Sequence, residues 1–155
     1  MRRKAILLAL TVVLGLSGCK REVAAPRAVH AESGLEVIPL TITHLGQRHT
    51  FKVELAQSAK EQEAGLMFRT RLGPDEGMLF PIEPPRPASF WMRNTVIPLD
   101  LLFIAPDGRI ANIAANARPY DESRLVSIGP AEAVLELPGG RAAALGIVPG
   151  DTAEW

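Results

Sequence analysis

The 155-residue sequence carries 17 basic residues, 17 acidic residues and a single cysteine. No stripe of basic residues is visible, which argues against nucleic-acid binding, because holding a phosphate backbone requires clustered Lys and Arg. One cysteine excludes a disulfide within the chain and a zinc site built on several thiolates.

The first 18 residues have the pattern of a lipoprotein signal peptide. Basic residues 2–4 precede the largely apolar residues 5–16. This segment is too short to span a bilayer as a helix, which takes about 20 residues. Residues 16–19 read Leu-Ser-Gly-Cys and resemble the bacterial lipobox, in which the cysteine is acylated and becomes the new N-terminus. We therefore expect a lipid on Cys19 that anchors the protein in the cell envelope, facing the periplasm.

Residues 19–34 are predicted to be a flexible tether, because they contain Pro26 and alternating charges but no apolar periodicity. His30 lies in this tether and is expected to be solvated. Lys20, rather than an aspartate, follows the cysteine. By resemblance to the sorting rule of enteric bacteria, this favours the outer membrane over the inner membrane. Residues 35–155 are then long enough for one domain with one core.

Residues 35–155 contain the patterns of several short strands. In residues 51–55 apolar side chains alternate with Lys52 and Glu54, which predicts a half-buried strand with Glu54 facing solvent. Glu136 alternates with apolar residues in the same way and is also expected to face solvent. The four prolines of residues 81–87 predict an extended connection. Further strands are predicted at residues 35–45, 88–93, 99–104 and 133–137.

Two short helices and a hairpin complete the pattern. Ser58 stands three residues before Glu61, a capping box that predicts the start of a helix, and Gly65 can end this helix. A one-turn helix is predicted at residues 141–145, and the Pro-Asp-Gly sequence of residues 106–108 predicts a hairpin. Because no regular βα alternation occurs, the expected fold is mainly β, a compact β-sandwich or barrel-like domain with two short helices.

Three motifs follow one another along the domain. Residues 65–69 read Gly-Leu-Met-Phe-Arg, residues 77–80 read Gly-Met-Leu-Phe, and residues 90–100 read Phe-Trp-Met-Arg-Asn-Thr-Val-Ile-Pro-Leu-Asp. Together with residues 134–140 and 146–151, they resemble the bacterial and archaeal family numbered one hundred and ninety-two in the domain-of-unknown-function series. The resemblance implies a mostly β, sandwich-like fold that is often exported. It implies no established activity, so no catalytic residue is carried over.

The longest motif contains the candidate binding residues Trp91 and Arg93. In an extended strand these two side chains lie on the same face, where they can stack by a cation–π contact. Asn94 and Thr95 follow as a polar break in the strand pattern.

Asp100 opens an apolar strand, and two interpretations of it stay open. In the first, the carboxylate fixes the loop by accepting hydrogen bonds from Asn94 or Thr95, or by pairing with Arg69 or Arg93. In the second, a polar site lies in a cleft beside the proline-rich segment and is built from Arg69, Trp91, Asn94 and Asp100.

The main functional hypothesis is a binding or accessory domain of the cell envelope that needs no cofactor. It would contact an envelope protein, a polymer or a small ligand through Arg69, Trp91 and Arg93, while the lipid on Cys19 contacts the membrane. The first alternative is a cell-wall hydrolase with Asp100 as general base and Asn94 or Arg69 polarising the substrate. That alternative requires Asp100 in an open cleft with a raised pKa.

The second alternative is a metal site. Met67, Met78 and Met92 each stand in one of the motifs, and thioether sulfurs suit Cu(I). Methionine more often fills gaps in a hydrophobic core, so the competing interpretation is that these side chains pack between strands.

Overall fold

Seven strands and two short helices make up residues 28–155, the part of the chain that the computed structural model describes. Cys19, the predicted signal peptide and the first part of the predicted tether lie outside the described residues. Within residues 28–155, no helix is long and apolar enough to cross a membrane. In chain order the elements are β1 (Val37–His44), β2 (Gln47–Leu55), α1 (Ala59–Ala64), β3 (Glu76–Phe90), β4 (Leu99–Ile104), β5 (Ile110–Ala117), β6 (Leu125–Pro138), α2 (Arg141–Ala144) and β7 (Thr152–Glu154).

The strands form one sheet in the order β5-β4-β6-β3-β2-β1-β7. Strands β2 and β3 are parallel, and the other neighbours are antiparallel. Backbone hydrogen bonds also join the two edges of the sheet. Ile110 N–H donates to the Asp151 carbonyl at 2.9 Å, and Ala153 N–H donates to the Gly108 carbonyl at 2.8 Å. The predicted mainly β fold with two short helices is therefore confirmed, as a curled sheet that forms a half-barrel.

Side chains alternate between the two faces of this sheet, and each face carries a hydrophobic core. On the outer face of β3, β4 and β6, Leu66 after α1 and Met92 after β3 join a buried cluster with Phe80 and Leu101. Both faces of the central strands are therefore covered. The inner core takes residues from every strand, among them Leu40, Phe51, Leu79, Leu102, Ile110, Leu135 and Ala153.

Helix α1 begins with the predicted capping box. Glu61 N–H donates to Ser58 Oγ at 3.3 Å, and Ser58 N–H donates to Glu61 Oε2 at 2.7 Å. The hydrogen bond from the Ser58 backbone lowers the pKa of the Glu61 carboxyl below its ordinary value. Gly65 ends the helix with a φ of 45°, as predicted. Local contacts thus fix the helix against the outer face of the sheet, where Gln62 Nε2 donates to the Pro81 carbonyl at 2.8 Å.

Strand β3 is longer than its sequence pattern predicts. Residues 81–87 belong to the strand rather than to a connection, since Pro81 lies opposite Ala133 and Arg86 lies opposite Ala131. The register shifts between these two pairs, where prolines cannot donate ladder hydrogen bonds. The strand then ends at Phe90, so the prediction of a strand that continues to residue 93 is wrong.

Residues 28–36 pack against the sheet. Val29 forms a β-bridge with Glu36, and Ser33 Oγ hydrogen-bonds to the Glu54 carboxylate. His30 Nδ1 lies 3.5 Å from a Glu54 oxygen, and the His30 side chain is only 27% exposed. The expectation of a solvated His30 is therefore wrong, because the segment folds back over Glu54.

Candidate functional site

An open cleft of about 810 Å³ lies on the outer face of the sheet. One wall is α1 with the segment from Gly65 to Met67, and the other is the end of β3 with the turn at Trp91–Thr95. Glu136 of β6 also lines the cleft and lies between the walls. The lining includes Lys60, Gln62, Glu63, Leu66, Phe80, Ile82, Arg86, Ala88, Ser89, Phe90, Arg93 and Asn94.

Glu136 lies at the floor of the cleft and is only 5% exposed. It stands opposite Met78 in β3 and Leu101 in β4, so its side chain points to the outer face of the sheet. Within residues 28–155 its carboxyl has no hydrogen-bond or ion-pair partner, and burial raises its pKa to about 8. The prediction of a solvated Glu136 is wrong, because the loops after α1 and β3 cover the face to which it points.

Gly77 explains why the second motif begins with a glycine. A Cβ atom at this position would lie 2.5 Å from the Glu136 carbonyl oxygen and 3.0 Å from the Leu137 side chain. Real Cβ atoms do not approach a backbone oxygen so closely, so only glycine lets β3 lie against β6 at this point. The motif therefore serves the close strand packing behind the floor of the cleft.

Trp91 and Arg93 stand at the mouth of the cleft. The Arg93 guanidinium lies 4.5 Å from the centroid of the Trp91 ring, so the predicted cation–π contact is confirmed, although a turn rather than a strand brings the two together. Arg93 also donates to Glu122 at 2.9 Å, which raises the pKa of Arg93 and lowers that of Glu122. The Trp91 side chain stays 48% exposed and is open to a ligand.

Three residues around this turn adopt left-handed backbone conformations. Phe68, Asn94 and Tyr120 have φ angles of 61°, 56° and 61°, a region that non-glycine residues rarely occupy. Phe68 N–H donates to the Asn94 carbonyl at 2.8 Å, and Tyr120 N–H donates to the Thr95 carbonyl at 3.2 Å. These bonds hold the turn from both sides and leave the Phe68 and Tyr120 rings exposed. Such backbone strain is concentrated at functional sites.

Asn94, a predicted site residue, lines the cleft. Its side-chain amide donates to the Met67 sulfur at 3.8 Å, and both residues belong to the lining. Asparagine tolerates the left-handed conformation better than other residues with a Cβ, which accounts for its place in the turn. The structure thus brings together three predicted residues, Trp91, Arg93 and Asn94.

Asp100 lies apart from the cleft. It is 0% exposed and accepts three backbone N–H groups, from Asn116 at 2.7 Å, Gly140 at 2.9 Å and Ala142 at 2.8 Å. The predicted pairing with Asn94, Thr95, Arg69 or Arg93 is therefore wrong. Because the carboxylate joins β5 to the start of α2 and does not line the cleft, its position does not meet the requirement of the general-base alternative.

Arg69 is also held away from the cleft. Its guanidinium makes a bidentate pair with Glu54 at 2.9 and 3.0 Å, and its Nε lies 3.3 Å from Glu32. The prediction of a solvated Glu54 is wrong, because its side chain lies on the covered outer face and meets Arg69 there. Arg69 therefore stabilises the fold next to the site, and its predicted binding role finds no geometric support.

The three methionines are divided between the cleft and the core. Met67 lines the cleft, whereas Met78 and Met92 are each 1% exposed in the outer hydrophobic cluster. Among residues 28–155, no group of three or more His, Cys, Asp or Glu side chains could hold a metal ion. The positions of Met78 and Met92 fit the interpretation that these side chains fill the core.

Sequence reasoning did not select several residues of the cleft. Lys60, Glu63 and Arg86 have no motif around them, so their position at the mouth follows only from the fold. The sequence does contain a pattern that could have identified Glu136, because it is the one charged residue in the otherwise apolar sequence Val-Leu-Glu-Leu of residues 134–137.

The profile of the DUF192 family, described as "Uncharacterized ACR", matches residues 40–155. The chain belongs to the DUF192 family. This match confirms the resemblance that the three motifs predicted. The part of the DUF192 sequence that forms the cleft, from α1 to β6, lies within the matched residues.

Two solved structures resemble this DUF192 protein. A protein of unknown function from Novosphingobium aromaticivorans DSM 12444 is 58% identical with a TM-score of 0.82, over 85% of this chain and 94% of that chain. A protein from Sinorhizobium meliloti 1021, described as a candidate transcription regulator, is 44% identical with a TM-score of 0.73, over 75% of this chain and 91% of that chain. No curated protein matches the chain.

Proposed function

We propose that this protein is a lipid-anchored envelope protein whose β domain binds a ligand in the cleft. The carboxyl of Glu136 carries the binding proposal, because it lies without a partner among residues 28–155 at the floor of an open cleft. Holding such a group mostly out of water costs free energy, and strongly perturbed carboxyls are concentrated at functional sites. A ligand that hydrogen-bonds to Glu136 would remove this cost.

The mouth of the cleft supports the same proposal. The lining combines apolar side chains with polar and charged groups in about equal measure, and a volume of about 810 Å³ lies within the usual range of small-molecule sites. Of the predicted partner classes, a small ligand or a short segment of a polymer fits this volume. Trp91 and Arg93 are the predicted binding residues that such a ligand would touch.

The two tryptophans of the chain allow a direct test of ligand binding. Trp91 lines the cleft, whereas Trp155 follows β7 at the far edge of the sheet and does not line it. Trp155→Phe therefore leaves one reporter at the cleft, and Trp91→Phe leaves the matched reporter outside it. We expect at least one member of a panel of neutral, acidic and amino oligosaccharides and acidic and basic peptides to change Trp91 fluorescence and not Trp155 fluorescence. A panel that changes neither signal, or both equally, would contradict the proposal.

The envelope location rests on the sequence of residues 2–19. Two acyl chains on a cysteine give stable anchoring, because each buried methylene contributes about 0.8 kcal/mol. We expect the wild-type protein to incorporate an alkyne-labelled fatty acid and to sediment with membranes, with outer-membrane fractions favoured. Cys19→Ser should lose both properties, and Ser17→Ala should keep them. Incorporation that persists in Cys19→Ser would refute the anchor.

A second candidate function, hydrolysis of a cell-wall sugar, is favoured by the same Glu136 carboxyl. Its raised pKa keeps the group protonated near neutral pH, which a general acid requires, and Glu63 supplies a second carboxyl in the lining. This candidate places the acid at Glu136 rather than at Asp100. Wild-type protein that shortens a sugar of the panel, with the activity lost in both Glu136→Gln and Glu63→Gln, would support this candidate. If every sugar of the panel stays uncleaved after prolonged incubation, hydrolysis of those sugars is excluded.

A further inference from the structure

Positively charged side chains dominate the mouth of the cleft. Lys60 on α1 and Arg86 on β3 both line it, and neither has an ion-pair partner among residues 28–155. Arg93 adds a third positive charge, which Glu122 neutralises at 2.9 Å. Glu63 adds a negative charge to the lining and lies on α1 three residues after Lys60. The mouth therefore favours a ligand with a negative charge.

The floor of the cleft has a different requirement. A protonated carboxyl has one O–H donor and a carbonyl oxygen that accepts, and a ligand oxygen that accepts the O–H of Glu136 satisfies the donor. An acyl chain cannot do so and would leave the buried donor unsatisfied. An ammonium group pairs best with an ionised carboxylate, and it would also have to pass the cations of the mouth. Fatty acids and amines are therefore the less suitable ligands.

Exposed aromatic surface lies at the rim of the cleft. Phe80 and Ile82 belong to the lining but are only 1% and 6% exposed, and Phe80 packs edge to face with Phe90 at a centroid distance of 5.2 Å. Trp91 lies at the rim with half of its surface exposed. An exposed aromatic ring such as Trp91 suits a ligand with a flat C–H surface and hydroxyl groups around its edge.

We propose that the ligand of the cleft is an acidic sugar, free or within a polymer, a statement that rests on the cleft being the binding site. Its carboxylate faces Lys60 and Arg86, its ring packs against Trp91, and a hydroxyl or ring oxygen accepts a hydrogen bond from Glu136. Negative charge, a flat apolar face and an uncharged oxygen acceptor occur together in uronic acids. The cations of the mouth, the Trp91 ring at the rim and the Glu136 carboxyl at the floor each recognise one of these features.

The test uses the full lipidated chain with Trp155→Phe, in detergent, titrated with trigalacturonate, maltotriose and the trimer of glucosamine. Trigalacturonate is expected to bind at least 10-fold more tightly than the other two. Lys60→Ala with Arg86→Ala should weaken trigalacturonate binding by about 10-fold. A matched control, Lys52→Ala with Arg71→Ala, removes two exposed positive charges outside the lining and should leave the affinity unchanged. Galacturonic acid and polygalacturonate then distinguish a free sugar from a polymer segment.

The proton of Glu136 gives an independent readout. Wild-type affinity for trigalacturonate should fall above pH of about 8, whereas Glu136→Gln, which keeps an N–H donor, should bind equally well up to pH of about 9. The groups that could also titrate or add charge are unchanged in this variant. The charged groups on the walls of the cleft are Lys60, Glu63, Arg86 and Arg93. The Glu54–Arg69 pair and His30 lie on the other side of Met78.

The outcomes separate this inference from the proposed function. Equal or tighter binding of maltotriose or the glucosamine trimer at Trp91 would overturn the acidic sugar and leave the cleft as a binding site. A peptide of the wider panel that binds there in place of every sugar would have the same effect. If no compound of the panel changes Trp91 fluorescence, both proposals fail.

Discussion

Glu136→Gln is expected to stabilise the protein at alkaline pH. The folded-state pKa of this carboxyl, about 8, lies above its ordinary value of 4.5. Below pH 4.5 the carboxyl is protonated in both the folded and the unfolded chain, and its full contribution to stability is present. As the pH rises from 4.5 to about 8, the unfolded chain releases the proton while the folded chain keeps it, so the wild-type protein loses stability. A glutamine has no proton to release and avoids this loss.

The size of the effect follows from the same two values. They differ by about 3.5 pH units, and each unit corresponds to about 1.36 kcal/mol, so the ionised carboxylate costs the folded state at most about 5 kcal/mol. Because the cleft is open, water reaches the carboxylate and preserves part of its hydration, which gives an expected range of about 2–5 kcal/mol. This is a large part of the roughly 5–15 kcal/mol that stabilises a typical domain.

Urea unfolding at pH values from about 5 to about 9 measures the difference. The free energy of unfolding of Glu136→Gln should exceed that of the wild type by an amount that grows with pH and levels off above pH of about 8. Glu132→Gln is the matched control, since it removes a half-buried carboxyl from the same strand. Its difference from the wild type should stay nearly constant. If the free energies of unfolding of Glu136→Gln and the wild type change in parallel with pH, the pKa of Glu136 is not raised in the folded protein and the reasoning is refuted.

Three further variants test the packing around the cleft. Asp100→Asn replaces one of two acceptor oxygens by an amide that cannot accept N–H, and it should cost about 2–4 kcal/mol in urea unfolding; unchanged stability would contradict its anchoring role. Arg69→Met leaves the buried Glu54 without its bidentate guanidinium, with only Ser33 and His30 beside it, and should cost about 3–5 kcal/mol, whereas the exposed Arg71→Met should change stability by less than about 0.5 kcal/mol. Gly77→Ala forces a Cβ against a β6 carbonyl and should lower the melting temperature sharply, with a loss of about 3 kcal/mol; a wild-type melting temperature would show that β3 can move.

Features set by neighbouring residues could be predicted from the sequence. The capping box of α1 needs only Ser58 and Glu61, and β4 occupies the predicted residues 99–104 because its apolar run is bounded by Pro98 and a hairpin. The hairpin itself closes with Ala105 N–H donating to the Arg109 carbonyl at 2.8 Å. Such patterns act over a few residues and do not depend on the rest of the fold.

Features set by distant residues could not be predicted. The alternation of apolar and charged residues correctly placed Glu136 and Glu54 on the face opposite the inner core. It could not show that other segments cover that outer face. Asp100 finds its donors at residues 116, 140 and 142, which only the sheet order brings together. Residues 81–87 form a strand because β6 pairs with them on both sides of a register shift. The charged mouth of the cleft likewise depends on where α1 docks.

The closure of the half-barrel has a consequence for the order of folding. Strand β7 pairs with β1, with Ile42 opposite Ala153, and residue Thr152 also bridges to Arg109 before β5. Contacts between residues so far apart in sequence slow folding, because a long loop must close before they form. A chain made from its N-terminus therefore waits with two open sheet edges until residues 152–154 are available, and open edges invite pairing with other chains. Strand β7 completes the pairing at both edges, so protection from aggregation during folding depends on this strand.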